Sequence, residues 1–483
     1  MKRFTKVILT LLLVLILPCL VFVGCGESQK YVVSIIKSSE TASETVYTIT
    51  YSDGTTNEMK VTNGEKGSDG ANGLDGEDGK DLTIDAVYNK YKELYGDISF
   101  KDFLSIYLNL EVDETATAVN TALLSSVKIY TEFYETVSTF FGTENKTAIY
   151  SGSGVIYKID EDYSYIITNY HVMYDENANE ANGGKIAKST KAYLYGSEGS
   201  YQATGENDAN GYPKYEYGDY AIDCYYVGGS IKYDLAVLRV STTRLQMINP
   251  DVREITFADR YYVGETAIAI GNTEDEGISA TKGIVSVDNE FINLQIDSTV
   301  RQYRSIRIDT AIYSGNSGGG LFDINGHLIG ITNAGDSEDQ NVNYAIPLPI
   351  VKSVVSNIMY NTEKGTNTNT QGKRFSLGVT VTASNQKFVL DESLGYGKIK
   401  EDVVVSTVTE GSIIDALGLE TDDKILSIFI GTDEFIIDRT FEIDEAILSA
   451  RESDTISIKY KRDSSTLQTD EYTLSSADFT VFE

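Results

Sequence analysis

Tyr313-Ser314-Gly315-Asn316-Ser317-Gly318-Gly319-Gly320 is the stretch of this 483-residue chain that decides how the rest is read. A serine hydroxyl is a weak nucleophile unless a base takes its proton and hydrogen-bond donors receive the negative oxygen that forms. Glycines on both sides of Ser317 let the backbone turn sharply, so the amides of Gly315 and Ser317 can converge on one oxygen. The bland reading of such a run is a glycine-rich hairpin turn. Its companions decide between the two.

Imidazoles are scarce, with two histidines in the chain. His327 lies in Asp323-Ile324-Asn325-Gly326-His327, where Asn-Gly marks a hairpin tip between apolar runs; a histidine there is solvated and takes no role. His171 closes the β-branched, aromatic run Tyr165-Ile166-Ile167-Thr168-Asn169-Tyr170-His171-Val172, which reads as a strand. A histidine after a strand is usually structural, but His171 is the one credible base for Ser317. The third group must be a carboxylate that holds the imidazole in one tautomer and stabilises its cation. Asp234 precedes Leu235-Ala236-Val237-Leu238-Arg239-Val240, a nearly continuous apolar strand that buries it beside a core. Taken alone, an aspartate opening a strand is a turn residue. The order histidine, aspartate, serine is that of the chymotrypsin architecture, not of subtilisin or the α/β-hydrolases.

Four segments, Ser151-Gly152-Ser153-Gly154-Val155-Ile156, Thr168-Asn169-Tyr170-His171-Val172, Asp234-Leu235-Ala236-Val237-Leu238 and Gly315-Asn316-Ser317-Gly318-Gly319, resemble the HtrA/Deg family of trypsin-like serine proteases. Asp309-Thr310-Ala311-Ile312, Gly330-Ile331-Thr332-Asn333 and Tyr344-Ala345-Ile346-Pro347 continue the likeness. It implies two six-stranded β-barrels with Ser317 as nucleophile, His171 as general base then acid, and Asp234 as its orienting partner. It further implies an oxyanion hole lined by the amides of Gly315, Asn316 and Ser317. Ile312, with Thr332, Asn333 and Ala334, would border the pocket for the side chain before the scissile bond. Ala311 stands six residues before Ser317, where trypsin-like charge recognition needs an aspartate, so small aliphatic residues are expected there rather than Lys or Arg. Gly320 stands where the family usually has proline. The tyrosine-rich stretch between His171 and Asp234 reads as extra strands and a surface hairpin, with a regulatory or oligomer-contacting loop as the other reading. Family members commonly form trimers, so a homotrimer is implied, although no stretch of this sequence marks the contact surface.

After a linker-like Asn/Thr/Gly-rich stretch, Ser376-Leu377-Gly378-Val379 resembles the carboxylate-binding loop of PDZ domains, whose amides take a peptide's C-terminus while the next strand edge pairs with its chain. Gly411-Ser412-Ile413-Ile414-Asp415-Ala416-Leu417-Gly418-Leu419 and Asp423-Lys424-Ile425-Leu426-Ser427-Ile428 continue that pattern. Ile443, Ala446, Ile447 and Ala450 share one helical face, either lining the groove or forming ordinary core.

At the N-terminus, Lys2, Arg3 and Lys6 precede an apolar run from Val7 to Val23, the secretory pattern. Its end, Phe22-Val23-Gly24-Cys25, resembles a bacterial lipoprotein signal cleaved before a lipidated Cys25; an uncleaved anchor helix is the other reading. Both place the remainder at the membrane on the extracytoplasmic side. Tyr31 to Thr62 alternates as strands do. Gly64, Gly67, Gly70, Gly73, Gly76 and Gly79 then recur at every third position without a proline among them, an acidic spacer rather than a collagen helix.

A net charge of −32 excludes nucleic acid as a partner, because phosphate contacts need Lys and Arg. Three cysteines exclude a disulfide-stapled scaffold, and with two histidines they leave little for zinc, so neither metal nor cofactor is expected. The expected organisation is mainly β: a signal at 1–24, a β segment at 25–62, the glycine-triplet linker at 63–81 and short helices at 82–115. A chymotrypsin-like double barrel at 116–362, a linker at 363–373 and an α+β PDZ-like domain at 374–483 complete it. The expected function is a lipid-anchored serine endopeptidase acting on unfolded, exported or surface proteins and binding peptide C-termini. The alternatives are a non-catalytic chaperone or peptide-binding surface protein retaining the protease fold, and a surface assembly driven by the glycine triplets.

Overall fold

The computed structural model describes residues 32–40, 44–51, 54–62, 84–96, 99–100, 103 and 113–481, apart from 141, 182–183, 336–338, 340, 364–371 and 392–394. The signal-like run, Cys25 and the glycine triplets lie outside the described residues. The chain divides into two compact units, Met1–Glu114 and Thr115–Glu483. In the first, the alternating segment forms an antiparallel sheet of β1 (Val32–Glu40), β2 (Glu44–Tyr51) and β3 (Thr56–Thr62). A helix follows at Ile84–Tyr95, with Tyr88 and Tyr91 packed on Phe103.

The second unit is built on two closed six-stranded barrels. The first barrel uses β4 (Ser126–Thr139), β5 (Gly142–Ile159), β6 (Tyr163–Thr168) and β7 (Ser189–Leu194). A side hairpin of β8 (Gln202–Asn207) and β9 (Pro213–Glu216) intervenes before β10 (Ile222–Ser230) and β11 (Leu235–Ser241) close the barrel. The tyrosine-rich stretch is therefore strands plus a hairpin, with Tyr193 and Tyr217 buried around Tyr130. The second barrel comprises β12 (Thr266–Asn272), β13 (Ile278–Gln295), β14 (Val300–Ile308), β15 (Gly320–Phe322), β16 (Leu328–Gly335) and β17 (Asn343–Pro347).

Side-chain alternation explains the apolar run after Asp234. Ala236, Leu238 and Val240 point into the first barrel with Ile156 and Ile166. Leu235 and Val237, on the opposite face with Val155 and Ile167, pack against Ile268, Ile270 and Ile331 of the second barrel. Both faces of β11 are buried from Leu235 to Leu238, and half-buried Arg239 is the one polar residue before the terminal Ser241. The helix Leu348–Glu363 then lays Val351, Val354, Val355 and Ile358 into the same inter-barrel cluster. Cys224 is a free, buried thiol in the first barrel, and burial pushes its pKa up, which keeps it inert.

Beyond that helix, β18 (Lys373–Phe375) leads to a sheet ordered β19 (Val379–Asp391), β20 (Tyr396–Val408), β21 (Lys424–Ile430), β23 (Thr455–Arg462) and β24 (Ser465–Gln468). A short β22 (Asp433–Ile436) pairs with β21, and a helix spans Glu442–Ser449. This sheet docks on the second barrel. Tyr262 stacks on Tyr396 at 4.4 Å, Arg439 pairs with Asp288 at 3.3 Å, and Arg304 pairs with Glu445 while lying 3.7 Å over the Phe441 ring.

Candidate active site

The polar residues worth placing first are those that end strands facing the cleft between the barrels. β6 ends at Thr168, and a single turn, Tyr170–Met173, carries His171. β10 and β11 are joined through Asp234, which is fully buried and held at φ +52°, a left-handed conformation that Asp tolerates better than most side chains. Three bonds fix it there: Asn169 Nδ2 donates to its carbonyl at 2.9 Å, the His171 amide donates to Oδ1 at 3.0 Å, and His171 Nδ1 lies 3.0 and 2.9 Å from its two carboxylate oxygens. A carboxylate only accepts, so Nδ1 carries the proton and Nε2 is left as an unprotonated acceptor. Burial alone would lower the imidazole pKa; the Asp234 charge and hydrogen bond outweigh it and raise the pKa above its ordinary value.

Ser317 comes to the same place by close backbone packing. Its carbonyl accepts from the Ser153 amide at 2.8 Å. A Cβ added at Gly152 would stand 2.7 Å from Val172 Cγ1 and 3.4 Å from the Ser317 carbonyl, so Ser317 and the neighbour of His171 meet across one glycine. On its other side Gly318, at φ +85°, leaves 2.3 Å between a would-be Cβ and Thr168 Oγ1. Ser317 is thus bracketed by residues on both sides of His171, and it is only half-buried, open to a substrate.

The backbone of the serine loop sorts its own amides. Asn316 N–H is spent on the Tyr313 carbonyl at 3.1 Å, so of the three expected donors it is the one turned away from the cleft. Gly315 and Ser317 donate to no backbone group among the described residues. Gly315 reaches this arrangement at φ +89° with a would-be Cβ only 2.1 Å from the Asn272 carbonyl, which no other residue could occupy.

The expected pocket residues divide. Ile312 is half-buried against the second-barrel cluster. Thr332 faces the serine loop rather than a pocket: its Oγ1 donates to the Asn316 carbonyl at 2.6 Å, and its carbonyl accepts from Gly318 at 2.9 Å. Asn333 is buried at the bulge between Thr332 and Ala334, with neither amide atom hydrogen-bonded among the described residues. Ala334 is half-buried beside it. Gly320 lies under Phe322, where a Cβ would meet Cε2 at 2.3 Å, so that ring fills the space a proline would need.

Residues 152–331 match the trypsin-like peptidase domain family. The chain is also similar to the serine protease Do-like HtrA of Lactococcus lactis subsp. cremoris, at 26% identity over 328 residues, covering 65% of this chain and 68% of that protein. The serine protease Do-like HtrA of Bacillus subtilis is 28% identical over 324 residues, covering 65% of this chain and 61% of its own. Among solved structures, an HtrA-type protease AlgW with decapeptide covers 75% of this chain and 98% of its own at 23% identity and a TM-score of 0.45. These similarities support a serine endopeptidase, and the two closed barrels make its fold mainly β.

In the C-terminal sheet, Ser376–Val379 joins β18 to β19. Leu377 is buried, its carbonyl accepting from Ile414 at 3.0 Å; Gly378 sits at φ +73°, its amide donating to Ser376 Oγ at 3.3 Å. β19 is an edge strand. Of the helical stripe, Ala446, Ile447 and Ala450 are core of this sheet. Ile443 also lines a cavity of about 250 Å³ with Val379, Val381 and Phe441, against Tyr233 and Tyr303 of the barrels. His327 follows a tight Asp323–Gly326 turn and is half-buried, its ring 3.7 Å from the Asp323 carboxylate. Lys128 and Tyr130, which touch the loop beside the serine, carried no signal: on a strand they read as ordinary alternation.

Proposed function

We propose that this endopeptidase is HtrA-like and cleaves unfolded exported or surface proteins, with Ser317 as nucleophile, His171 as base and Asp234 as its orienter. The single observation that carries the reading is the buried Asp234 carboxylate on His171 Nδ1, 2.9 Å away, with Ser317 packed against the strand ends that present the ring. In this mechanism Nε2 takes the Ser317 proton as Oγ attacks the scissile carbonyl. The Gly315 and Ser317 amides receive the oxyanion, each such donor being worth about a hundredfold or more in rate. The imidazolium then gives its proton to the leaving amine, and a water activated by the same ring releases the acyl group. Ile312 and Ala334 favour small aliphatic side chains beside the scissile bond.

The Ser376–Val379 loop and the free edge of β19 support a PDZ-like site for peptide C-termini, which pairs a bound chain with β19 by backbone hydrogen bonds. The Lys2–Cys25 pattern supports a lipid anchor and an extracytoplasmic location. The test is casein cleavage by the purified chain and its Ser317→Ala variant. Loss of about ten-thousandfold in turnover supports the reading, and equal behaviour of the two proteins favours a non-catalytic peptide-binding role.

A further inference from the structure

The serine loop leans on the connection between β12 and β13, and that connection is held in an unfavourable shape. Glu274 and Asp275 lie at φ +51° and +65°, consecutive left-handed residues without a glycine between them. Such backbone persists where its surroundings over-determine it, and those places cluster at functional sites. Here the determinants come from the opposite barrel. Lys128 Nζ, on β4 and 3% exposed, sits 2.9 Å from Asp275 Oδ1 and 3.1 Å from the Asp275 carbonyl. Tyr130, two residues along the same strand face and 1% exposed, donates to Asp275 Oδ2 at 2.9 Å. The Lys128 ammonium is buried, so although Asp275 is 39% exposed, losing the carboxylate would strand the charge, and this favours the loop position that keeps the pair.

The clamped loop passes its position to the reacting atoms. Asn272 Nδ2 donates to Asp275 Oδ1 at 3.3 Å, while the Asn272 amide donates to Ser153 Oγ at 2.7 Å. Ser153 Oγ in turn donates to the Gly315 carbonyl at 2.7 Å. The Glu274 amide donates to the Ser314 carbonyl at 2.8 Å, and Thr273 Oγ1 to Asn316 Oδ1 at 3.0 Å. Every residue from Ser314 to Asn316 is therefore tied to the 272–275 segment. Rotation of the Ser314–Gly315 peptide, which would turn the Gly315 N–H away from an oxyanion, breaks the bond from Glu274.

We propose that Lys128 and Tyr130 are positioning residues that set the Gly315 oxyanion donor by clamping Asp275 across the two barrels; the proposal rests on the serine-peptidase reading above. The test is steady-state cleavage of fluorescently quenched casein by the full chain and by Tyr130→Phe, Lys128→Met and Lys128→Arg. Tyr130→Phe removes one hydroxyl and no volume, so it keeps the fold. The clamp predicts about a tenfold loss of kcat for Tyr130→Phe and about a hundredfold for Lys128→Met, the second reaching the loss of one oxyanion donor. KM should stay within about twofold, Lys128→Arg should recover most of the loss, and the acidic limb of the pH profile should not move, because His171 and Asp234 are untouched. Wild-type kcat in Tyr130→Phe and Lys128→Met, or a loss carried by KM, would overturn the clamp alone. Absence of casein cleavage by the wild type would overturn the peptidase reading and the clamp with it.

Discussion

At the scale of single residues, the proposed mechanism depends on one buried carboxylate. Asp234 has no solvent, so its charge acts on His171 with little screening and raises a pKa that burial alone would lower. The sign has two consequences. The imidazolium–carboxylate attraction stabilises the fold fully below pH 6.5, the ordinary histidine value, and is lost as pH rises through the raised folded pKa. Catalysis runs the other way, because the base must be neutral, so activity rises through that same pKa. Asp234→Asn should lower kcat by about ten-thousandfold and shift the acidic limb of kcat/KM to lower pH, since burial remains and the charge is gone; a pH–rate profile of both proteins checks this. These residues were legible because each needs a rare local pattern: a strand-ending histidine, an aspartate before an unbroken apolar run, a serine between glycines. A motif names neighbours without saying which N–H turns inward, and only the fold shows the Asn316 N–H bonded to the Tyr313 carbonyl. The clamp residues Lys128 and Tyr130 lie 147 and 145 positions from Asp275, and nothing local marks them.

At the scale of elements, the barrels were legible from strand spacing and from β11, whose nearly continuous apolar run requires burial on both faces. Leu238 is fully buried inside the first barrel. Leu238→Ala should cost about 2–5 kcal/mol in urea unfolding, because the closed barrel cannot collapse onto the cavity. The helical stripe Ile443, Ala446, Ile447 and Ala450 was ambiguous in sequence for a physical reason. Groove and core positions recur at the same spacing, and only the fold shows that all four are core while Ile443 also lines the cavity.

At the scale of the whole molecule, the barrels and the C-terminal sheet share a polar seam that sequence patterns could not reveal, since its partners are far apart in the chain. Arg304 and Glu445 are 8% and 16% exposed, so their attraction is weakly screened and the loss of one partner strands the other. Glu445→Gln should destabilise the chain by about 3 kcal/mol and speed proteolytic release of the C-terminal sheet, with casein cleavage by the barrels retained; limited trypsinolysis and thermal melting check it.

The most direct measurement of the central claim is peptide mapping, by mass spectrometry, of the chain after treatment with a fluorophosphonate. The account predicts one adduct on Ser317, at a rate that falls with acidification as His171 becomes protonated, and no adduct in Ser317→Ala or His171→Ala. An adduct on another serine, or casein cleavage that survives in Ser317→Ala, would contradict it.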